Sequence, residues 1–120
     1  PGGVWFGEWS ERWGREAAGQ LLARQPDIDA IFCGSDQIAR GVADTLRAAG
    51  RTIPGDVALV GFDNWEPMAL GAQPPLTSVD MSLEEVGQVA AGLLLAAIAG
   101  EPAYGTRTVP SRLVVRESSR

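Results

Sequence analysis

Aromatic, hydroxyl and carboxylate side chains follow the first three apolar runs of the chain. They are Glu8 and Trp9 after residues 4–6, Ser35 and Asp36 after residues 29–33, and Asp63, Asn64 and Trp65 after residues 56–62. If these runs are parallel strands, their carboxyl ends share one edge, where ligands of such sheets bind. A carboxylate accepts hydrogen bonds from the hydroxyls of a polyol, and an indole packs on the apolar face of a sugar or a base. We therefore predict that Asp63 anchors a ligand.

The residue types disfavour catalysis. The chain contains no His, and all ten basic residues are Arg, so there is no Lys. Ser-His-Asp, Cys-His and Lys Schiff-base chemistry are therefore excluded, and zinc would need carboxylates and the thiol of Cys33. Hydrolysis by paired carboxylates such as Asp63 and Asp36 is the remaining enzymatic alternative. We predict no catalytic residue, no metal site and no cofactor.

Purely structural roles compete with the ligand roles. Asp36 suits the N-cap or the first turn of a helix, and Ser35 can be the cap instead. Trp9 can be a core residue, and Trp13 lies on the apolar face of a predicted helix. Cys33 falls inside a strand and suits a small buried hydrophobic residue. Asp63 has the stronger claim to a ligand, because a carboxylate after a buried strand needs a partner.

Composition limits the class of protein. The chain has 120 residues, 45% of them hydrophobic, which suits one globular domain or a piece of one. A net charge of -5 with scattered Arg residues predicts little affinity for nucleic acid. Apolar runs are too short to span a membrane, and the lone cysteine is consistent with a reducing compartment. Because the chain opens with Pro1, we expect the natural N-terminus to lie upstream.

Strands alternate with helices along the chain. The pattern predicts strands at 4–6, 29–33, 56–62, 77–79 and 112–116, and helices at 10–24, 36–49, 65–70 and 82–99. The last helix follows a capping box formed by Ser82 and Glu85. The nearly continuous apolar run at 56–62 is typical of a strand buried on both faces. We therefore predict an α/β fold, with a parallel sheet covered on both faces.

Four segments resemble the effector-binding domain of the LacI/GalR family of bacterial transcription regulators. They are residues 7–22 (GEWSERWGREAAGQLL), 30–64 (AIFCGSDQIARGVADTLRAAGRTIPGDVALVGFDN), 74–101 (PPLTSVDMSLEEVGQVAAGLLLAAIAGE) and 111–119 (SRLVVRESS). The resemblance implies a periplasmic-binding-protein-like type I fold, a three-layer sandwich of two subdomains behind a helix-turn-helix head. Residues 1–80 and 107–120 would form the C-terminal subdomain. The helix at 82–100 would belong to the N-terminal subdomain, and the DNA-binding head would be absent from this sequence.

The resemblance also assigns site residues. Asp63 matches a carboxylate that binds effector hydroxyls, and Trp9 matches an aromatic residue that stacks on the effector. Ser35 stands where sugar-responsive members often carry Asn. Met81 and Leu83 match hinge-side positions that line the cleft.

The function implied is effector sensing, with a sugar preferred as the small-molecule effector. Binding would shift the hinge and so change affinity for operator DNA, which the missing head would contact. The resemblance further implies a cytoplasmic homodimer, with no membrane contact, paired through the helix at 36–49 and the loop after Trp65. A sugar-binding receptor of a transport system is the alternative function, because it shares the fold.

Overall fold

The computed structural model describes residues 3–120 as four helices, four strands and one 3-10 turn. The elements are α1 (Glu11–Arg24), β1 (Ala30–Phe32), α2 (Asp36–Ala48), β2 (Ala58–Phe62), α3 (Glu66–Gly71), β3 (Thr77–Asp80), α4 (Leu83–Ile98), β4 (Arg112–Val114) and a 3-10 turn (Glu117–Ser119). The sheet order is β1-β2-β3-β4. β1, β2 and β3 run parallel, and β4 pairs antiparallel to β3.

Serine hydroxyls start the first two helices. Ser10 Oγ accepts a hydrogen bond from Trp13 N at 3.1 Å, and Ser35 Oγ accepts one from Ile38 N at 3.2 Å. Each bond satisfies an N–H group that the helix itself leaves without a partner. Gly50 ends α2 in a left-handed conformation with φ 71°. These two helices begin and end within two residues of the predicted positions.

The core lies between α2 and one face of the sheet. Leu46 of α2 and Leu59 of β2 are fully buried, and Val57 and Leu76 extend the same cluster. Along β2 burial alternates, so that residues 58, 60 and 62 are only half-buried. The prediction of a strand buried on both faces was therefore wrong for β2. An apolar run shows that the side chains are hydrophobic, but it does not show whether another element packs on each face of the strand.

The prediction of a strand at residues 4–6 was also wrong. Val4 and Phe6 are 81% and 87% exposed, and this segment is irregular. A strand exists only when a neighbouring strand pairs with it, and within residues 3–120 the sheet consists of the four strands named above.

The predicted capping box before α4 does not form. Ser82 is left-handed, with φ 54°, and its hydroxyl donates to Pro110 O at 3.0 Å. The N–H of Ser82 is bonded to Asp80 Oδ1 at 2.8 Å. Since Asp80 already holds that N–H, Glu85 has no capping role.

The α4 helix stands apart from the core. None of its sixteen residues is buried, although its sequence is rich in Leu, Val and Ala. The described chain measures 60 × 25 × 23 Å. The assignment of this helix to a second subdomain stays a prediction. Among residues 3–120, no helix has the length and the apolarity to cross a membrane.

The α1 and α2 helices approach each other at two glycines. A Cβ atom added at Gly41 would lie 2.0 Å from Glu11 O, and one added at Gly14 would lie 2.2 Å from Ile38 O. Backbone therefore packs on backbone at this crossing. Thr45 Oγ1 donates to the carbonyl of Arg15 at 3.1 Å and fixes the contact.

We expect the substitution Gly41→Ala to destabilise the fold by about 2 kcal/mol or more, because the added methyl group forces the two helices apart. Urea unfolding monitored by circular dichroism measures the change. Gly19→Ala is the matched control, since nothing lies within 4 Å of its added Cβ. The control should gain ~0.5–1 kcal/mol through helix propensity. Equal stability of the two variants would contradict this account of the crossing.

Candidate functional site

The loop after β2 is held by all three of its backbone N–H groups. Asp63 N donates to Val79 O (3.0 Å), Asn64 N donates to Ser78 Oγ (3.0 Å), and Trp65 N donates to Asp36 Oδ2 (2.8 Å). Asp63 and Asn64 both have positive φ, 103° and 50°. Such conformations cost about 1–3 kcal/mol each and persist only where the surroundings impose them. The loop is therefore a constrained structure.

Asp36 lies beneath this loop with 1% of its surface exposed. Its Oδ1 accepts a hydrogen bond from Ser78 Oγ at 2.6 Å, in addition to the bond from Trp65 N. Burial raises the pKa of Asp36, while the bonds from Ser78 and Trp65 and the charge of Arg116 oppose that rise. Asp36 is thus not the N-cap of α2, a role that Ser35 fills.

Gly61 of β2 makes room for this carboxylate. A Cβ atom at Gly61 would lie 2.2 Å from Asp36 Oδ1. The helix end and the strand therefore approach this closely only with glycine at position 61. The sequence shows the G-F-D run but not this contact, because it joins residues 25 positions apart.

Asp63 presents a free carboxylate at the sheet edge. Within residues 3–120, no group donates a hydrogen bond to its side chain, which is only partly exposed to solvent. Burial and the nearby charge of Asp36 raise the pKa of Asp63. A carboxylate held in this way can accept hydrogen bonds from ligand hydroxyls.

Trp9 reaches the same edge of the sheet although no strand precedes it. Its indole ring lies 3.5 Å from the position that a Cβ atom would take at Gly34, two residues after the end of β1. The side chain is 69% exposed and offers a flat apolar surface. Ser35 is next to Gly34 but only 3% exposed, and its oxygen already accepts the bond from Ile38 N.

An open cleft of about 1140 Å³ extends from the loop to the start of α4. Three predicted site residues line it, namely Asp63, Met81 and Leu83, whereas Trp9 and Ser35 do not. Trp65, which is half exposed, lies on the same wall. The structure thus brings Asp63, Met81 and Leu83 together, while Trp9 lies beside Gly34, after the neighbouring strand β1.

A polar chain connects the loop with the C-terminal segment at Arg116 and with the link between β3 and α4. Asn64 Oδ1 accepts a hydrogen bond from Arg116 Nη2 at 2.8 Å, and Asn64 Nδ2 lies 3.4 Å from Asp80 Oδ2. Arg112 donates to Asp80 Oδ2 from Nε and Nη2, at 3.1 and 2.9 Å. The N–H of Ser82 and the guanidinium of Arg112 lower the pKa of Asp80. The amide of Asn64 therefore touches both the C-terminal segment and the link into α4.

The comparisons with known proteins agree with this geometry. The family model described as "Periplasmic binding protein-like domain" matches residues 4–119. The regulator CelR of Thermobifida fusca is 41% identical over 96% of this chain and 34% of its own length. The solved CelR–cellobiose complex has a TM-score of 0.83 and 41% identity, covering 94% of this chain and 35% of that one. A LacI family regulator from Arthrobacter sp. FB24 in complex with lactose has a TM-score of 0.86 and 34% identity, covering 94% and 43%.

The fold and the edge site define an α/β domain of the periplasmic-binding-protein type, and the predicted fold class is confirmed. The chain belongs to the periplasmic binding protein-like domain family, as the effector-binding type found in LacI/GalR regulators. It spans about a third of the length of the first curated relatives, 34%, 30% and 32%.

We expect Asp63→Asn to raise the midpoint of thermal unfolding at neutral pH. The folded pKa of Asp63 is raised, so ionisation destabilises the folded state, and the neutral amide removes that effect. The difference from wild type should vanish as pH falls below about 3.9, the ordinary pKa of Asp.

Asp56→Asn is the control, for which we expect the unfolding midpoint to shift in the opposite direction. Bonds from Thr52 Oγ1 and N lower the pKa of Asp56, so its charged form stabilises the fold. The control should unfold at a lower temperature at neutral pH. Calorimetric scans at several pH values measure both, and a lower midpoint for Asp63→Asn at neutral pH would refute the argument.

Proposed function

We propose that this chain is the effector-sensing part of a sugar-responsive transcriptional regulator. The observation that carries the proposal is the carboxylate of Asp63, which lines an open cleft, stands on a loop whose backbone is held by hydrogen bonds, and accepts no hydrogen bond from residues 3–120. A carboxylate that has no hydrogen-bond donor within the described chain suits a ligand that supplies hydrogen-bond donors. Two neighbouring hydroxyls of a sugar provide such donors.

The relatives support a sugar over other small molecules. One solved relative is a complex with cellobiose and another a complex with lactose. The curated relatives are transcriptional regulators, among them the lactose operon repressor of Klebsiella pneumoniae. These names favour a regulator over a receptor of a transport system and over an enzyme with paired carboxylates.

Each predicted site residue receives a role in this proposal. Asp63 accepts bonds from two ring hydroxyls, and Trp9 packs its indole on an apolar face of the sugar. Met81 and Leu83 form the hinge-side wall. Ser35 contributes least, because its oxygen already caps α2.

The response to ligand follows from where the cleft lies. It is bounded on one side by the loop of Asp63 and on the other by the link into α4. A sugar that contacts both the loop and the link favours one position of the link relative to the loop. A population shift of this kind changes the affinity for operator DNA. In the proposal residues 1–80 and 107–120 form one subdomain, the helix at 82–100 belongs to the other, and a separate head contacts DNA. The protein acts as a cytoplasmic homodimer.

The proposal predicts that the intact protein containing this chain binds a neutral sugar, tested by titration calorimetry with cellobiose, lactose, maltose and ribose. For the sugar that binds, Asp63→Asn should weaken affinity about 10-fold or more, since a charge-assisted bond contributes ~1.5–3 kcal/mol. Trp9→Ala should also weaken binding. The same sugar should change operator affinity in a mobility-shift assay.

Asp44→Asn is the matched control, because Asp44 lies on the far part of α2 and pairs with Arg15 and Arg47. Its affinity for the sugar should stay within about twofold of wild type. Sugar binding that Asp63→Asn leaves unchanged would sink the assignment of the anchor. A sugar that binds without any effect on operator affinity would sink the regulatory role.

A further inference from the structure

We propose that Asp36 is a positioning residue of the binding site, which holds the left-handed turn at residues 63–64 so that Asp63 faces the ligand. This inference rests on the proposed function for its consequence in binding. Its structural part rests on contacts of the described residues alone.

The first argument is the geometry of the three-way contact. Asp36 uses both carboxylate oxygens, one for Ser78 Oγ at 2.6 Å and the other for Trp65 N at 2.8 Å. Ser78 Oγ in turn accepts from Asn64 N at 3.0 Å. Two of the three N–H groups in the loop therefore depend on Asp36, one directly and one through Ser78.

The second argument is the conformational cost of the left-handed turn that these hydrogen bonds hold in place. Positive φ at two successive residues other than glycine is unfavourable, and the alternative is an extended continuation of β2. In an extended chain Asp63 and Asn64 would point to opposite faces. The bonds from Asp36 and Ser78 therefore decide the direction in which the carboxylate of Asp63 points.

The third argument is that burial makes the arrangement specific. Asp36 and Ser78 are 1% and 0% exposed, so water cannot replace a missing partner. Gly61 leaves only enough space for the carboxylate that is there. An amide at position 36 that accepts from the N–H of Trp65 turns its NH₂ group toward the hydroxyl of Ser78. Ser78 can then no longer donate to residue 36, its buried O–H loses its acceptor, and neither remaining contact involves a charge.

We test the structural part without ligand, by hydrogen-deuterium exchange of the intact protein. In Asp36→Asn the amides of residues 64–65 should exchange about 10–100 times faster than in wild type, because a charge-assisted bond is lost. Exchange in the central turns of α2 and in β2 should stay slow. Ser78→Ala is the milder second variant. It should accelerate exchange of the Asn64 amide more than exchange of the Trp65 amide.

We test the binding part with the sugar that binds the wild-type protein. Asp36→Asn should weaken affinity about 10-fold or more, although residue 36 does not touch the ligand. Val57→Ala is the control for general destabilisation. Val57 is fully buried just before β2, at the end of the strand opposite the loop, so its truncation weakens the core without contacting the loop. This variant should keep affinity within about twofold.

The outcomes separate the two proposals. Fast exchange confined to the loop together with weaker sugar binding supports the positioning role. Unchanged loop exchange in both Asp36→Asn and Ser78→Ala overturns it, as does faster exchange spread equally over α2 and β2. Equal loss of affinity in Val57→Ala overturns it as well. If no sugar binds the wild-type protein, the proposed function fails while the exchange result still decides the role of Asp36.

Discussion

The buried carboxylate of Asp36 is the contact on which the sheet edge that carries Asp63 depends. It joins the start of α2, strand β3 through Ser78 and the loop after β2 through Trp65. A charge removed from water is costly unless hydrogen bonds compensate it, and here both oxygens are bonded. The same contact requires glycine at position 61. The start of α2, strand β3 and the loop after β2 are therefore held together by the hydrogen bonds of one buried carboxylate.

The C-terminal segment completes this arrangement from the other side. Ser118 Oγ donates to Leu59 O at 2.5 Å and accepts from Thr77 N at 2.8 Å, which ties residues near the end of the chain to β2 and β3. Arg116 donates to Leu76 O and to Asn64 Oδ1. The loop that carries Asp63 is thus held between α2 and this segment, while Asn64 and Asp80 connect it with the link into α4.

The local sequence pattern predicted those features of the fold that depend on residues close together in the chain. The structure has the helix periods, the position of Asp63 after β2 and the cap of α2 at Ser35, which was one of the two alternatives. All three are properties of neighbouring residues. Residues 4–6 look like a strand, yet pairing depends on a partner that a local pattern does not contain. The Ser82 capping box does not form because Asp80, two residues earlier, holds the N–H of Ser82, and because the hydroxyl of Ser82 donates to Pro110 O, 28 positions away.

The site was predictable in part. Asp63, Met81 and Leu83 line one cleft. That these residues contact a ligand stays a prediction. The bonds of Asp36 were not predictable, because Ser78 is 42 positions away and the short spacing of Ser35 and Asp36 suggests a helix cap.

The pairing of β4 with β3 has a consequence for the order of folding. The α4 helix and the loop after it separate these two strands in sequence, while Val79 and Leu113 are partners in the sheet. Closing so long a loop costs entropy before the pairing returns any stabilisation, and contacts of this kind slow folding. During synthesis, β1, β2 and β3 emerge well before β4 and the residues around Ser118. The turn at Asp63 therefore takes its support from Arg116 only after α4 and β4 have been synthesised. A nascent chain that has reached α4 can already hold its first two helices together, but it does not yet have the full set of hydrogen bonds around Asn64.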